Sequence, residues 1–378
     1  MEVKKLRYVD AMRGLAILGV LMVHCMKAGS ANYDKILLNL FSNGSAGVQL
    51  FFVASAFTLF LSLKSRKSQE KDPTVNFFIR RFFRIAPMYY IGIVYYLLQD
   101  GFGPRYWLGS APGITIGNIL ANVFFIHGFN PYWINSLVPG GWSIATEVLF
   151  YCTVPFLFSK IKTLNQAVAF FVISTVISIC FQKILLDTHF IPDRSLWQNF
   201  LSFCLPGQLP VFACGIILYF MVTTEIKDWK INPNYLLFVA ILLLLRLATG
   251  SVLFLPDYVT FAILFAILGY ALSKNEVLLF VNPVTIYVGR ISYSMYILHF
   301  AVLHWMTQWK VTELIKANTR YTDILNYGVR FVILLILTAI VSTISYHLIE
   351  VPFQRIGKKL TQYVRTNTRK SNVEAVNL

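Results

Sequence analysis

An arginine and a histidine stand at the two ends of an otherwise apolar run in RGLAILGVLMVHC, residues 13–25. Eleven steps of about 100° bring an α-helix back to within about 20° of its starting direction, so Arg13 and His24 share one face, roughly 16 Å apart along the axis. Asp10 lies on the same face. A helix that aligns an acid, a guanidinium and an imidazole in apolar sequence must turn them toward a protein-lined cavity, because turning them toward lipid would cost several kcal/mol. For Arg13 alone a snorkelling anchor is an equally good explanation. His24 could simply hydrogen-bond across helices, but its depth and alignment favour a functional role.

Three further constellations follow the same logic. In GGWSIATEVLFY, residues 140–151, Ser143, Glu147 and Tyr151 fall at i, i+4 and i+8, a polar stripe on an apolar helix. A carboxylate there needs an arginine or histidine from another helix, which would make Glu147 structural, an orienting group or a proton acceptor. In RRFFRIAPMYY, residues 80–90, Arg81 and Arg84 are neighbours on a helix entering the membrane. Two guanidiniums so placed can clamp a phosphate, although plain membrane anchoring explains them as well. In GRISYSMYILHF, residues 289–300, Ser292, Tyr296 and His299 form another polar face, with Arg290 at its end. His347 and Glu350 read as interfacial and structural.

The elements that must position these groups are membrane helices. Of 378 residues, 57% are hydrophobic and 13% charged, with a mean hydropathy of +0.62, far from a soluble domain. Apolar stretches long enough to span predict an all-α integral membrane protein of ten transmembrane helices, at 9–27, 45–63, 84–99, 142–159, 164–182, 202–222, 234–249, 257–273, 284–306 and 328–349. One more apolar segment, 114–129, is short and holds two asparagines and a histidine. Counting it as a crossing would put Lys160, Lys162 and the basic C-terminus outside, so it is expected to be re-entrant or interfacial. The expected organisation is one membrane domain over 1–357 and a disordered basic cytoplasmic tail over 358–378.

A net charge of +16 would suggest nucleic acid in a soluble chain, but here the bases cluster between spans: Lys4, Lys5 and Arg7; Lys64, Arg66, Lys67, Lys71, Arg80, Arg81 and Arg84; and Arg355, Lys358, Lys359, Arg365, Arg369 and Lys370. They read as cytoplasmic anchors, placing both termini inside, with the lipid bilayer as partner and no nucleic acid. Asp10 and Arg13 interrupt the approach to the first apolar run, which is expected to stay as an uncleaved span. Cys25, Cys152, Cys180, Cys204 and Cys214 lie in apolar stretches without C-x-x-C spacing and are expected to be buried thiols. No metal is expected. The chain carries no G-x-S-x-G elbow, H-E-x-x-H or P-loop, so a serine hydrolase, a zincin or an ATP-driven pump has no visible site. Nothing in the sequence points to an oligomeric state.

Taken in order, these motifs resemble membrane acyltransferase family 3, the group that includes O-antigen and exopolysaccharide O-acetyltransferases. The likeness runs over about residues 7–357. YVDAMRGLAILGVLMVH resembles the family's first span, GVQLFFVASAFTLF its second, RRFFR its arginine pair, GGWSIATEVLFYCTVPFL its Trp-Ser-x-x-x-Glu segment, GRISYSMYILHF its Gly-Arg-x-Ser-Tyr-Ser element and SYHLIEVPFQRIGKKL its closing element. Two departures stand in the second span: Gln49 where the family often has an acid, and Ser55-Ala56 where it often has Ser-Gly. The chain also ends soon after its last span, so the extracytoplasmic hydrolase-like domain of some relatives is not expected here.

The resemblance implies transfer of an acyl group, acetyl first of all, from acyl-coenzyme A as co-substrate to a hydroxyl of a glycan or lipid-linked glycan in the cell inner membrane, with no tightly bound cofactor. On that reading Arg81 and Arg84 hold coenzyme phosphates. His24 acts as general base or transient acyl acceptor. Arg13 and Glu147 orient the imidazole and steady charge on the thioester oxygen. Substrate contacts fall to Asp10, Ser143, Arg290, Ser292 and His299, with Trp142 and Tyr296 stacking on a sugar or the adenine. A secondary transporter or flippase would also use buried ionisable residues and Pro/Gly breaks such as LPGQLP at 205–210. A multispanning O-acyltransferase acting on a lipid or small molecule is the enzyme alternative.

Overall fold

The computed structural model describes residues 6–29, 33–67, 70, 72–188, 190–223, 232–248, 250, 255–315 and 319–362. Among them there is no strand. The helices are α1 (Arg7–Lys27), α2 (Lys35–Ser42), α3 (Gly47–Lys67), α4 (Pro73–Asp100), α5 (Ile116–Val123), α6 (Gly141–Lys160), α7 (Leu164–Leu186), α8 (Arg194–Phe203), α9 (Leu205–Thr223), α10 (Pro233–Ala248), α11 (Asp257–Lys274), α12 (Pro283–Arg290), α13 (Ser292–Gln308) and α14 (Arg320–Ser345). After α14 a wide π turn, Tyr346–Glu350, leads into further helix described as far as Gln362.

Helical segments occupy all ten stretches expected to span, yet the count of ten is not reached on length and composition. Among the described residues seven helices are long and apolar enough to cross a bilayer, and eight if the bent pair α12 and α13 is one span. α10, at 16 residues, is shorter than a bilayer requires. The segment expected as one span at 284–306 is instead broken, with α12 and α13 meeting at 78°. The segment 114–129 supplies only the eight-residue α5 and a 3₁₀ turn at His127–Phe129, and eight residues rise about 12 Å, far short of a hydrocarbon core.

α1 lies at the centre, packed against α3, α12, α13 and α14, while α3 in turn packs on α6 and α9. Close approach of α12 to α1 requires glycine: a Cβ at Gly289 would run into the backbone carbonyl of Asp10. That contact sets Arg290 beside Asp10. α7 and α14 are apolar but mostly exposed on the outside of the bundle, as a lipid-facing helix is. Two cysteines expected to be buried, Cys152 and Cys180, are exposed, on the outer faces of α6 and α7. The anticipated disordered tail does not begin at 358: residues 358–362 continue the last helix. The rest of it, 363–378, lies outside the described residues, as do Lys4, Lys5 and Lys71.

Candidate functional site

Three arginines join two spaces. A cleft of about 670 Å³ is lined by Asp10, Arg13, Thr58, Arg66, Arg81, Arg84, Arg290 and Glu350, among others. An inner cavity of about 70 Å³ shares Arg13, Arg81 and Arg84 with it and continues to Phe51, Ser55, Ser143, Glu147, Tyr151, Ser292, Tyr293 and Tyr296. Among the described residues the two together present five guanidiniums against three carboxylates, Asp10, Glu147 and Glu350.

α1 and α3 hold Arg13. Its Nη2 donates to Thr58 Oγ1 at 3.1 Å, and Nη1 lies 3.8 Å from Asp10, which also lies 3.7 Å from Arg290. α4 carries Arg81 and Arg84 into the same space. The Arg81 guanidinium lies over the rings of Phe77 and Tyr151, at 5.7 and 6.0 Å, and its Nε is buried without a partner. Such cation–π contacts stabilise a guanidinium by about 0.5–2 kcal/mol but do not neutralise it. Arg84 makes no hydrogen bond or ion pair among the described residues. Arg80, by contrast, is paired to Glu70 at 2.8 Å.

α6 supplies the stripe read from sequence. Glu147 accepts from Tyr151 Oη at 2.7 Å and from Ser55 Oγ. One turn earlier, Ser143 Oγ donates to Tyr296 Oη at 2.8 Å, and Tyr296 in turn reaches the Gly140 carbonyl at 3.1 Å. Gly140 has φ +79° and the Tyr296 ring lies where a side chain would stand, so only glycine fits. The 114–129 segment buttresses this helix start. Asn122 accepts from Tyr89 Oη at 2.8 Å and donates to Asn118 at 2.9 Å, Asn118 donates to Ser136 at 2.8 Å, and His127 Nε2 lies 3.2 Å from the Gly141 carbonyl. Its two asparagines and histidine therefore serve a buried network rather than a crossing.

The remaining expected residues divide. Ser292 and Tyr296 line the inner cavity, and Asp10 and Arg290 the cleft. His24 lines neither. Its ring lies 5.2 Å from that of His299 and 4.4 Å from that of Phe300, so Arg13 and Glu147 do not orient it: the first is held by Thr58 and Asp10, the second by Ser55 and Tyr151. Ten residues of helix stand between Arg13 and His24, which rules out direct contact within α1. His299 also stands outside both spaces, as does Trp142, which stacks on Phe203 at 4.1 Å and meets Phe52 edge-on rather than offering a free face.

Sequence reading did not place Ser55 or Thr58 in the site, although both stand as polar residues within the apolar FFVASAFTLF. Glu350, read as interfacial and structural, is 3% exposed and does serve a structural contact. The wide turn at Tyr346–Glu350 aims its carboxylate at the break between α12 and α13, where it accepts from the backbone N–H of Ser294 at 3.1 Å and from Ser294 Oγ. It caps α13 from another helix.

A bundle of apolar helices that buries arginines and carboxylates around an internal cavity defines a helical membrane protein with a polar site at its core. The chain belongs to the acyltransferase family 3 of membrane proteins, whose Acyltransferase domain matches residues 6–347. It is 24% identical over 384 aligned positions to a Staphylococcus aureus (strain COL) protein assigned by inference as an O-acetyltransferase, covering 94% of this chain and 59% of that protein. It is 24% identical to O-acetyltransferase OatA of Staphylococcus aureus (strain MRSA252), over 95% of this chain and 60% of OatA. It is 23% identical to acyltransferase MdmB of Streptomyces mycarofaciens, over 80% of each chain. The chain thus spans about 59% of the length of the first of these relatives. No solved structure matches it.

Proposed function

We propose that this protein transfers an acyl group, acetyl first of all, from acyl-coenzyme A to a hydroxyl on a glycan or lipid-linked glycan. The observation that carries the reading is the arginine surplus at the junction of cleft and cavity, where Arg13, Arg81 and Arg84 face only one carboxylate of the inner space, Glu147. Guanidiniums held together inside apolar protein attract an anion, and phosphate groups suit their planar donors. The donor's phosphates would rest in the cleft, on the base-rich side read as cytoplasmic, and its extended pantetheine arm would thread the cavity between Glu147 and Tyr296. O-acetyltransferase names among the relatives support the reaction type. The glycan acceptor rests on the resemblance to polysaccharide-modifying enzymes.

In this scheme the thioester passes Tyr296 toward His24. The acceptor oxygen attacks the thioester carbonyl while His24 takes the hydroxyl proton; the C–S bond then breaks and the proton passes to the departing thiolate. A transient acyl-imidazole on His24 would be the two-step version. Arg13 and Glu147 act on the donor arm and not on the imidazole, and Arg290 and Ser292 flank the donor's path.

Purified protein given labelled acetyl-coenzyme A tests this directly. Hydrolysis or transfer that falls at least about a hundredfold in His24→Gln, the low end for loss of a general acid–base group, with an unchanged melting temperature, is the expected outcome. Wild-type-like turnover in His24→Gln would refute both the base and acyl-carrier roles. Silence of the wild type with every acceptor would favour transport.

A further inference from the structure

His299 is fully buried in α13. Its Nδ1 lies 2.8 Å from the Tyr296 carbonyl and 3.2 Å from that of Met295. Carbonyl oxygens only accept, so Nδ1 carries the hydrogen, and in a neutral imidazole Nε2 is then left as a bare lone pair. That Nε2 is buried and has no partner. Because Nδ1 turns back on its own helix, Nε2, across the ring, points away from those carbonyls, and the ring of His24 on the neighbouring α1 lies 5.2 Å away. Phe300 packs against both imidazoles, at 4.4 Å from His24 and 4.1 Å from His299. The His24 imidazole makes no hydrogen bond to another described residue. A buried acceptor without a donor, beside an imidazole without a partner, is an unsatisfied pair of matching polarity.

We infer that His299 is a positioning residue for His24: its Nε2 accepts a hydrogen bond from an N–H of His24, so that the other ring nitrogen of His24 stays unprotonated and faces the acceptor hydroxyl. The inference rests on the proposed role of His24. Backbone carbonyls fix the tautomer of His299, and His299 fixes that of His24, a relay that needs no carboxylate and suits a site where Glu147 is engaged elsewhere. Lys27, one turn further along the same helix, is a charged group near His24. Holding a base in the wrong tautomer is costly even when the geometry is kept.

The test pairs kinetics with imidazole ¹⁵N NMR on histidine-labelled protein in detergent, the His24 signals being assigned by their loss in His24→Gln. Wild-type His24 should show one protonated and one bare nitrogen. In His299→Leu the two should average, and kcat should fall by about tenfold or more with KM for acetyl-coenzyme A and acceptor within about twofold. His299→Gln, which keeps an acceptor oxygen near the place of Nε2, should restore the tautomer and most of kcat. A fixed His24 tautomer in His299→Leu with undiminished kcat would overturn the inference. So would a His299→Gln variant as inactive as His299→Leu with a raised acceptor KM, which would put His299 on the substrate instead. The NMR arm needs no turnover, so it still decides the pairing if His24→Gln proves active and the proposed reaction fails.

Discussion

Replacing Arg84 with glutamine separates a ligand site from an anchor, because the structure gives the two roles opposite consequences. Arg84 faces both the cleft and the inner cavity, shares that space with Arg13 and Arg81, and makes no hydrogen bond or ion pair among the described residues. Its removal therefore deletes no native polar contact and relieves like-charge repulsion, so the melting temperature should hold or rise. What it should delete is a charge-assisted contact to donor phosphate. Such contacts contribute about 1.5–3 kcal/mol, which is roughly a 10- to 150-fold rise in KM for acetyl-coenzyme A at 1.36 kcal/mol per decade. The acceptor KM should stay within about twofold, and the gap between variant and wild type should narrow with added salt. Steady-state kinetics at low and high salt, with thermal unfolding of the same detergent-solubilised protein, read both quantities. An unchanged donor KM together with lower stability or abundance would refute the reasoning and restore the anchoring role.

Arg13→Lys should lose most activity, because one ammonium cannot reach Thr58 and Asp10 as the guanidinium does at 3.1 and 3.8 Å; near-normal turnover would show that charge alone matters. Glu350→Ala removes the cap on α13 and should cost about 0.5–2 kcal/mol of stability, read as a fall in melting temperature; unaltered melting would mean that the cap is dispensable. A cysteine placed at Lys160, in a background from which the exposed Cys152 and Cys180 have been removed, should resist an impermeant reagent added outside cells. Labelling from outside would overturn the expected cytoplasmic placement of that loop and reverse the reasoning on 114–129.

The polar residues of the site were legible one helix at a time. Spacing alone put Ser143, Glu147 and Tyr151 on one stripe, and Tyr151 does bond Glu147; a helical period is a local property, written in consecutive residues. Partners were not legible in the same way. Glu147 was expected to pair with an arginine or histidine; Arg13 and Arg81 share its cavity, but its hydrogen bonds go to Ser55 on α3 and to Tyr151. Trp142 is taken up by Phe203. Arg330, 1% exposed near the far end of α1, donates to the Thr312 carbonyl at 2.9 Å, and nothing in its apolar surroundings in the sequence announced that contact.

By itself the sequence determined that the chain is a bundle of apolar helices with a few ionisable residues that cannot face lipid, since hydropathy and the cost of an unpaired charge depend on composition and local spacing. Tertiary structure alone decided which of those residues share a space. Arg13, Arg81, Arg84 and Glu147 meet around one cavity because α1, α4 and α6 converge there, while His24, on the same face of α1 as Arg13, is carried about 16 Å along the axis into the company of His299. The break at Ile291 and the buried carboxylate of Glu350 that caps it arise from contacts between segments some 56 positions apart. The helical period of either segment carries no information about such a contact, because it is set by the packing of one helix on another.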